Sequence, residues 1–364
     1  MKKIRIFIQY PNFFSDSPYY NYLTKYPPKN IVYLSEEKKR NDIIVEKSKL
    51  LIVRAIKDNI RTIIRNLKLP IINAYKTTTK IKYDLIHCAH CLSLEKEKNW
   101  IIDLECAWQI GIGNTTEETV NKALTLLEKK NCKKIICWTE KTKQDFEKLT
   151  KNKLKDKTVV IYPAVPINNK INRTSNKINL VFVARYFKWK GGEYALNVID
   201  KLTKKYPNVF GIVVTENIKL AKSTINKNDK ITYFPLMNRS ELFKKVYTNT
   251  DIFIYPGLSD SFGFSFLEAM SFGLPIVTVE GHGRREIIKN KKNGFIVGKD
   301  KYYLSLPYDQ DLEKQIIKKT ELLIKNKKLR KEIGKNNYFE VKQGKFSIKT
   351  RNTKLAEVYK QSIK

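Results

Sequence analysis

The chain has 364 residues, 42% of them hydrophobic, and carries 71 Lys and Arg against 36 Asp and Glu, a net charge of +35. That length exceeds one ordinary core and predicts two domains, and the apolar share, with 20 Tyr and 17 Phe, excludes a disordered chain. The charge favours anionic partners such as phosphorylated ligands, an acidic membrane surface or nucleic acid, although an AT-rich coding bias would give the same wealth of Lys, Ile and Asn.

The start, MKKIRIFIQYPN, has a short apolar run and no small-residue cleavage site, so Ile4–Gln9 is predicted as a strand and not as a secretory signal. No stretch is apolar for long enough to cross a bilayer, and the expected location is cytoplasmic, with a peripheral position on the inner membrane face as an option. Further strands are predicted at Ile31–Leu34, Asp84–His87, Trp100–Asp103, Lys134–Trp138 and Thr158–Tyr162. Helices are predicted at Asp42–Lys68, Glu117–Lys129 and Glu140–Leu149. Residues 1–110 contain no glycine, and YPNFFSDSPYYNYL after the first strand reads as a loop.

Within the helix at Asp42–Lys68, Arg54, Lys57, Arg61, Arg65 and Lys68 recur every three or four residues and form one stripe. Val53, Ile56, Ile60, Ile63, Ile64 and Leu67 form the opposite one. One reading is a helix with its apolar side on the core and a solvated basic face. The other rests the basic face on anionic lipid, where a lipid-linked acceptor would be met. The five cysteines, all in the first half, are an odd number and predict reduced thiols. Cys88 and Cys91 in HCAHC, with Cys106, lack the second matched pair of a structural zinc site, so no metal is expected.

Pro163–Lys177 is rich in proline and asparagine and is predicted as the linker. The alternation then restarts, with strands at Ile178–Ala184, Phe210–Thr215, Ile231–Phe234, Ile252–Tyr255 and Ile276–Val279. Helices are predicted at Gly192–Tyr206, Arg239–Tyr247, Phe264–Phe272 and Arg284–Lys289, and the remainder from Asp309 is helical and highly charged. Strands apolar on both faces, separated by helices, predict two doubly wound parallel sheets with ligands at the carboxyl ends of the strands.

Two stretches stand at such ends. In SDSFGFSFLEAMSFGLP, Glu268 lies in an otherwise apolar helix. Ser265 and Glu268 fit a capping box, but a buried carboxylate needs partners, and ligand hydroxyls would supply them. The start of that helix also suits phosphate. In VFVARYFKWKGG, Arg185 and Lys190 follow a buried strand; they read either as a solvated basic loop or as a planar fork and a point charge for a diphosphate.

Together these stretches resemble glycosyltransferase family 4. That family has Gly-Arg and then Lys-Gly after the first strand of its second domain; here stand Ala184-Arg185 and Lys190-Gly191. It has Glu-Gly-Phe-Gly and then Glu-Ala-Met; here stands DSFGFSFLEAM, with Asp260 in place of the first Glu. GLPIVTVEGHGRREIIKNKKNGFIV resembles the strand, glycine turn and Asn-Gly turn that follow, and ICWTEKTKQDF and VVIYPAV resemble the end of the first domain. The resemblance covers Lys134–Val297.

It implies an α/β, GT-B fold, two Rossmann-like domains facing each other across a cleft. Residues 1–165 would be the acceptor-binding domain and 166–345 the nucleotide-sugar-binding domain, with a C-terminal helix in 346–364 packing back toward the first. The implied activity is a retaining glycosyltransferase without metal or other cofactor, moving sugar from a UDP- or GDP-sugar donor to a glycan, lipid-linked or other hydroxyl acceptor in cell-surface glycan biosynthesis. Arg185 and Lys190 would hold the diphosphate, Glu268 the ribose, and the backbone at Gly263, Phe264 and Ser265 the phosphates or sugar. Asp260 would contact the donor sugar. Where the family often has a first-domain His, WIIDLECAW offers Asp103 and Glu105, and Glu105 is the candidate for contact with donor sugar or acceptor. Two other readings stand beside this one. The charge alone suggests a nucleic-acid-binding protein, although no zinc-finger spacing, RNP-like run or basic tail supports a specific one. Asp260 and the missing glycine loop suggest a sugar-nucleotide-binding relative without activity.

Overall fold

The computed structural model describes residues 3–11, 17–35, 47–168, 176–299 and 305–364. The chain forms two compact units, Met1–Ala164 with Ile348–Lys364, and Val165–Ser347.

The first unit runs β1 (Ile4–Gln9), α1 (Pro18–Lys25), β2 (Ile31–Leu34), α2 (Lys47–Asn66), β3 (Ala74–Tyr75), β4 (Leu85–Ala89), β5 (Leu92–Ser93), β6 (Trp100–Leu104), α3 (Glu117–Leu127), β7 (Cys132–Cys137), α4 (Glu140–Leu149) and β8 (Thr158–Val160). Its parallel sheet has the order β2-β1-β4-β6-β7-β8. Every residue of β4 and β6 is buried, as expected of strands covered on both faces. Threonine hydroxyls at Thr116 and Thr139 cap α3 and α4 by accepting from Thr119 N and Thr142 N. The core between sheet and helices is built on Trp100, Ile102, Leu124, Ile135 and Phe146, with Cys88, Cys91, Cys132 and Cys137 among them.

The second unit runs β9 (Ile178–Val183), α5 (Gly192–Lys205), β10 (Val209–Val214), α6 (Ile218–Lys222), β11 (Ile231–Phe234), α7 (Arg239–Lys245), β12 (Ile252–Ile254), α8 (Phe264–Ser271), β13 (Ile276–Val279), α9 (Arg284–Ile287), β14 (Gly294–Val297), α10 (Gln310–Lys325) and α11 (Lys327–Lys342). Its strands are also all parallel, in the order β11-β10-β9-β12-β13-β14. This is the doubly wound dinucleotide-fold order, and its topological switch point lies between β9 and β12. The last helix, α12 (Ile348–Ser362), belongs to the first unit. Arg351, buried there, donates to Tyr26 O at 2.7 Å, and the Tyr359 hydroxyl meets His87 Nδ1 at 2.8 Å and Tyr33 at 3.0 Å.

Three expectations change. The loop after β1 holds a helix, α1, whose cap Ser17 and first-turn Pro18 are a start signal that its aromatic sequence masks; residues 12–16 of that stretch lie outside the described residues. On α2 the apolar row does not face the core. Ile56, Ile60, Ile63 and Leu67 are exposed, and of that row Ile64 is buried. The reason is the helix's seat. Asn114 Nδ2 donates to Ile64 O at 3.2 Å and Arg65 Nε to Gly113 O at 3.3 Å, so part of the basic side rests on the protein. The expected helix start at 42–46 and the side chains of Val53, Arg54 and Lys57 lie outside the described residues. Third, β14 forms where only an Asn-Gly turn was expected.

Candidate functional site

The switch point of the second sheet brings together the loop after β9, Ala184–Gly191, and the loop after β12, Tyr255–Gly263. The two are tied along their backbones: Gly257 N donates to Lys190 O at 3.0 Å and Ser259 N to Trp189 O at 3.1 Å. Lys190 closes the join with its side chain, donating to Ser259 O at 2.5 Å and forming an ion pair with Asp260 Oδ1. The approach requires glycine at Gly191, whose φ of 72° is left-handed and whose added Cβ would stand 2.6 Å from Pro256 Cβ.

Gly263, with φ 84°, caps α8 at its amino end. The capping box read from Ser265 and Glu268 therefore does not form. Ser265 is inside the helix, near the Tyr255 phenol. Burial, then the charge of Asp260, pushes the Tyr255 phenol well above its usual range.

Glu268 is buried on α8, and the chain itself provides one partner for it. Arg239, the first residue of α7, donates from Nε to Glu268 Oε1 at 2.6 Å. Among the described residues Glu268 Oε2 has no hydrogen-bond partner. Asp260 has Oδ1 on Lys190, and its Oδ2, buried beside Gly257, has no hydrogen-bond partner among the described residues. Arg185, half-buried just past β9, makes no side-chain ion pair or hydrogen bond among the described residues. Two cations, two half-satisfied carboxylates and a helix amino terminus thus share one sheet edge.

Beneath them lies Arg284, which the sequence reading placed on a helix without a role. It is fully buried and donates to Pro256 O and Gly257 O at 3.0 Å, Val279 O at 2.7 Å and Thr278 Oγ1 at 2.6 Å. Its guanidinium also lies 4.9 Å from the centre of the Phe266 ring. Burial holds its pKa below the ordinary value, while Asp260, Tyr255 and Glu280 push it upward. It is the strut that fixes the backbone carrying Asp260. Nothing in hydrophobic periodicity marks it or Arg239; for Arg284 the one signal is an arginine directly behind a glycine turn.

In the first unit the strand-end carboxylates part ways. Asp103 is consumed internally: His87 Nε2 meets Oδ2 at 2.9 Å, Tyr20 donates to Oδ1, and His90 Nδ1 lies 3.3 Å from its carbonyl. Burial alone would raise its pKa, but the charge and hydrogen bond of His87, with His90 and Tyr20, hold it below the ordinary value. Glu105 follows β6, half-buried, with its amide donating to Gln109 Oε1 at 2.7 Å and its carbonyl accepting from Thr142. It belongs to the first unit, whereas Arg185, Lys190, Asp260, Gly263, Phe264, Ser265 and Glu268 belong to the second. All five cysteines are free and buried, and among the described residues no His, Cys, Asp and Glu group could hold a metal. Nor, among them, is any helix long and apolar enough to cross a membrane.

Residues 165–339 match the family described as glycosyl transferases group 1. The chain is 27% identical over 224 residues to an uncharacterized glycosyltransferase of Haemophilus influenzae, covering 60% of this chain and 58% of the relative. It is 28% identical over 210 residues to the capsular polysaccharide biosynthesis glycosyltransferase CapM of Staphylococcus aureus, covering 54% of this chain and 51% of that one. The matches thus span less than two thirds of either relative. Among solved structures, Anabaena HepE in complex with UDP-glucose superposes with a TM-score of 0.59 at 14% identity, over 98% of this chain and 99% of that one. That likeness shows the fold, GT-B, with its two Rossmann-like domains.

Proposed function

We propose that the chain transfers sugar from a nucleoside diphosphate sugar to a hydroxyl of a glycan or lipid-linked acceptor, a reading supported by the match of residues 165–339 to the glycosyl transferases group 1 family. The supporting observation is the charge arrangement at the switch point: among the described residues Arg185 has no side-chain partner, Lys190 stands beside it on the same loop, and Glu268 has one carboxylate oxygen committed and one open. The diphosphate meets the two cations and the amino end of α8, where backbone N–H groups and the helix dipole favour anions. The open oxygen of Glu268 accepts from the ribose hydroxyls, and the Asp260 carboxylate is the proposed contact to the donor sugar.

In the reaction the bond between the anomeric carbon and the β-phosphate oxygen breaks. The acceptor hydroxyl bonds to that carbon on the same face, and its proton passes to the departing phosphate. Arg185 and Lys190 stabilise the charge that grows on the nucleotide, which needs no metal to do so. Glu105, in the first unit, is the proposed contact to donor sugar or acceptor. The capsular role of CapM points to a cell-surface glycan as the product class.

The test is a panel of UDP- and GDP-sugars scored for binding and for donor hydrolysis, with wild type, Lys190→Ala and Glu268→Ala. Both variants should stay folded and lose nearly all turnover. Undiminished turnover in both rejects the assignment, and an inverted anomeric centre in the product, read by NMR, rejects retention.

A further inference from the structure

We propose that Tyr186 and Trp189, on the loop after β9, form a stacking platform for a sugar ring of the acceptor, so that the acceptor presents a saccharide and not a bare lipid phosphate. The inference deepens the transferase reading and rests on it. Of the four tryptophans, Trp100 and Trp138 are fully buried. The other two are exposed, and each follows a strand at the carboxyl edge of its own sheet, Trp108 after β6 and Trp189 after β9. That edge is where doubly wound sheets take ligands. Trp189, 53% exposed, has a second ring beside it, Tyr186, at 5.9 Å between centroids and 54° between planes. Residues three apart in one helical turn are neighbours, which puts both rings on one side. The turn is fixed by its backbone: Lys190 N donates to Tyr186 O at 3.0 Å and Gly192 N to Phe187 O at 2.8 Å. Phe187, 3% exposed, roots it in the core, edge-on to Phe182 at 6.0 Å between centroids. The platform is thus built before a ligand arrives, which lowers the ordering cost of binding.

The surroundings select the occupant. Aromatic rings offer electron-rich faces, and the C–H face of a pyranose carries the complementary weak positive charge. Arg185, Lys188 and Lys190 share the turn with the two rings, and Lys188 is exposed next to Trp189 in the chain. An acyl chain needs a continuous apolar surface, which two rings among three cations do not give. A second copy of this chain, with its net charge of +35, would bring like charge against like. A sugar ring uses both parts of the turn, its C–H face on the aromatics and its hydroxyls toward the polar border. Arg185 and Lys190 are also the cations proposed for the donor diphosphate, so the platform borders that subsite.

The test is calorimetry of the full chain, first with UDP and GDP, then, with the nucleotide that binds held in excess, with glucose, galactose and N-acetylglucosamine oligosaccharides of increasing length and with octyl phosphate. At least one saccharide series should bind wild type. Trp189→Ala should weaken that binding by about tenfold or more, and Trp189→Phe, which keeps a ring, by less. Tyr186→Ala should act in the same direction. Nucleotide affinity of the Trp189 variants should stay within about twofold of wild type, at an unchanged melting temperature. The inference is overturned, with the transferase reading left standing, if the nucleotide binds and no saccharide does, or if Trp189→Ala binds saccharide as wild type does. It is also overturned if Trp189→Ala loses nucleotide and saccharide equally, which assigns the rings to the donor, or if octyl phosphate alone depends on Trp189. Wild type that binds neither nucleotide rejects the transferase reading, and this inference falls with it.

Discussion

Replacing Arg284 by Met tests whether the loop that carries Asp260 is held from below. Met keeps an apolar chain of similar reach and removes every hydrogen bond. Three buried carbonyls, those of Pro256, Gly257 and Val279, lose their donor along with the Thr278 hydroxyl. An unsatisfied buried acceptor costs about 1–3 kcal/mol, so the carbonyls alone give at least about 3 kcal/mol. The loss of an expensively buried cation offsets part of this, and the net expected destabilisation of the second unit is about 3 kcal/mol, in the range for breaking a buried charged network. Urea denaturation reads it, and Trp189 is a local probe. It is the one tryptophan of Val165–Ser347, and its carbonyl accepts from Ser259. Released from the strut, the loop should no longer hold Asp260 against Lys190, and UDP affinity should fall by about tenfold or more. Arg284→Lys, which keeps the charge but not the planar fork, should fall between. If Arg284→Met unfolds within about 0.5 kcal/mol of wild type and binds UDP equally, the strut is not what positions the loop.

At the proposed ribose contact, a double-mutant cycle of Arg239→Ala and Glu268→Gln should give a coupling of about 1 kcal/mol, discounted because the Arg239 side chain is 30% exposed. Arg239→Ala should also narrow the preference for UDP over its 2′,3′-dideoxy analogue, measured by calorimetry. An unchanged preference would show that the pair does not orient Glu268. For Asp103 the folded pKa is lowered, so its stabilisation is present above the unfolded value of about 3.9 and is lost as pH falls through the folded value. Urea midpoints of Asp103→Asn should lie below wild type at neutral pH, with the difference shrinking below about pH 4; a constant difference would refute the linkage. Burial pushes the Cys132 thiol up to about 12 and raises Cys88 and Cys137 as well, so iodoacetamide should label none of these in the folded protein and all in urea, as read by mass spectrometry.

Strand positions were legible because strands buried on both faces are continuous apolar runs. Ile4–Gln9, Ile31–Leu34, Ile231–Phe234 and Ile276–Val279 have the same bounds in the sequence reading and in the structure. Glu140–Leu149 was equally plain, with Thr139 as its cap and an amphipathic pattern behind it. α1 was not, because its Tyr-rich sequence has no aliphatic period. Tertiary contacts support it instead, Tyr19 packing on Trp138 and Tyr20 donating to Asp103. α2 shows the limit of pattern reading. The two stripes were visible, but which one meets the protein depends on Gly113 and Asn114, some fifty residues further on. At the site, the loop residues were legible from their places after buried strands. Arg239 and Arg284 were not, since both act through contacts distant in sequence.

The buried glutamate shows why that difference matters. A carboxylate inside an apolar helix must find partners, and from sequence these were either a capping box with Ser265 or the hydroxyls of a ligand. The structure divides the task. Arg239 satisfies one oxygen and so fixes the direction of the other, and a ligand then meets a carboxylate already oriented. Lys190 follows the same logic. Of its three N–H donors, one is on Ser259 O and one on Asp260 Oδ1, which leaves one for the proposed phosphate contact without breaking either bond. Arg185, with no ion pair among the described residues, keeps its whole fork for the proposed diphosphate. A site arranged in this way spends little on rearranging its charges when an anion arrives, because the internal pairs serve to aim the remaining hydrogen-bonding capacity.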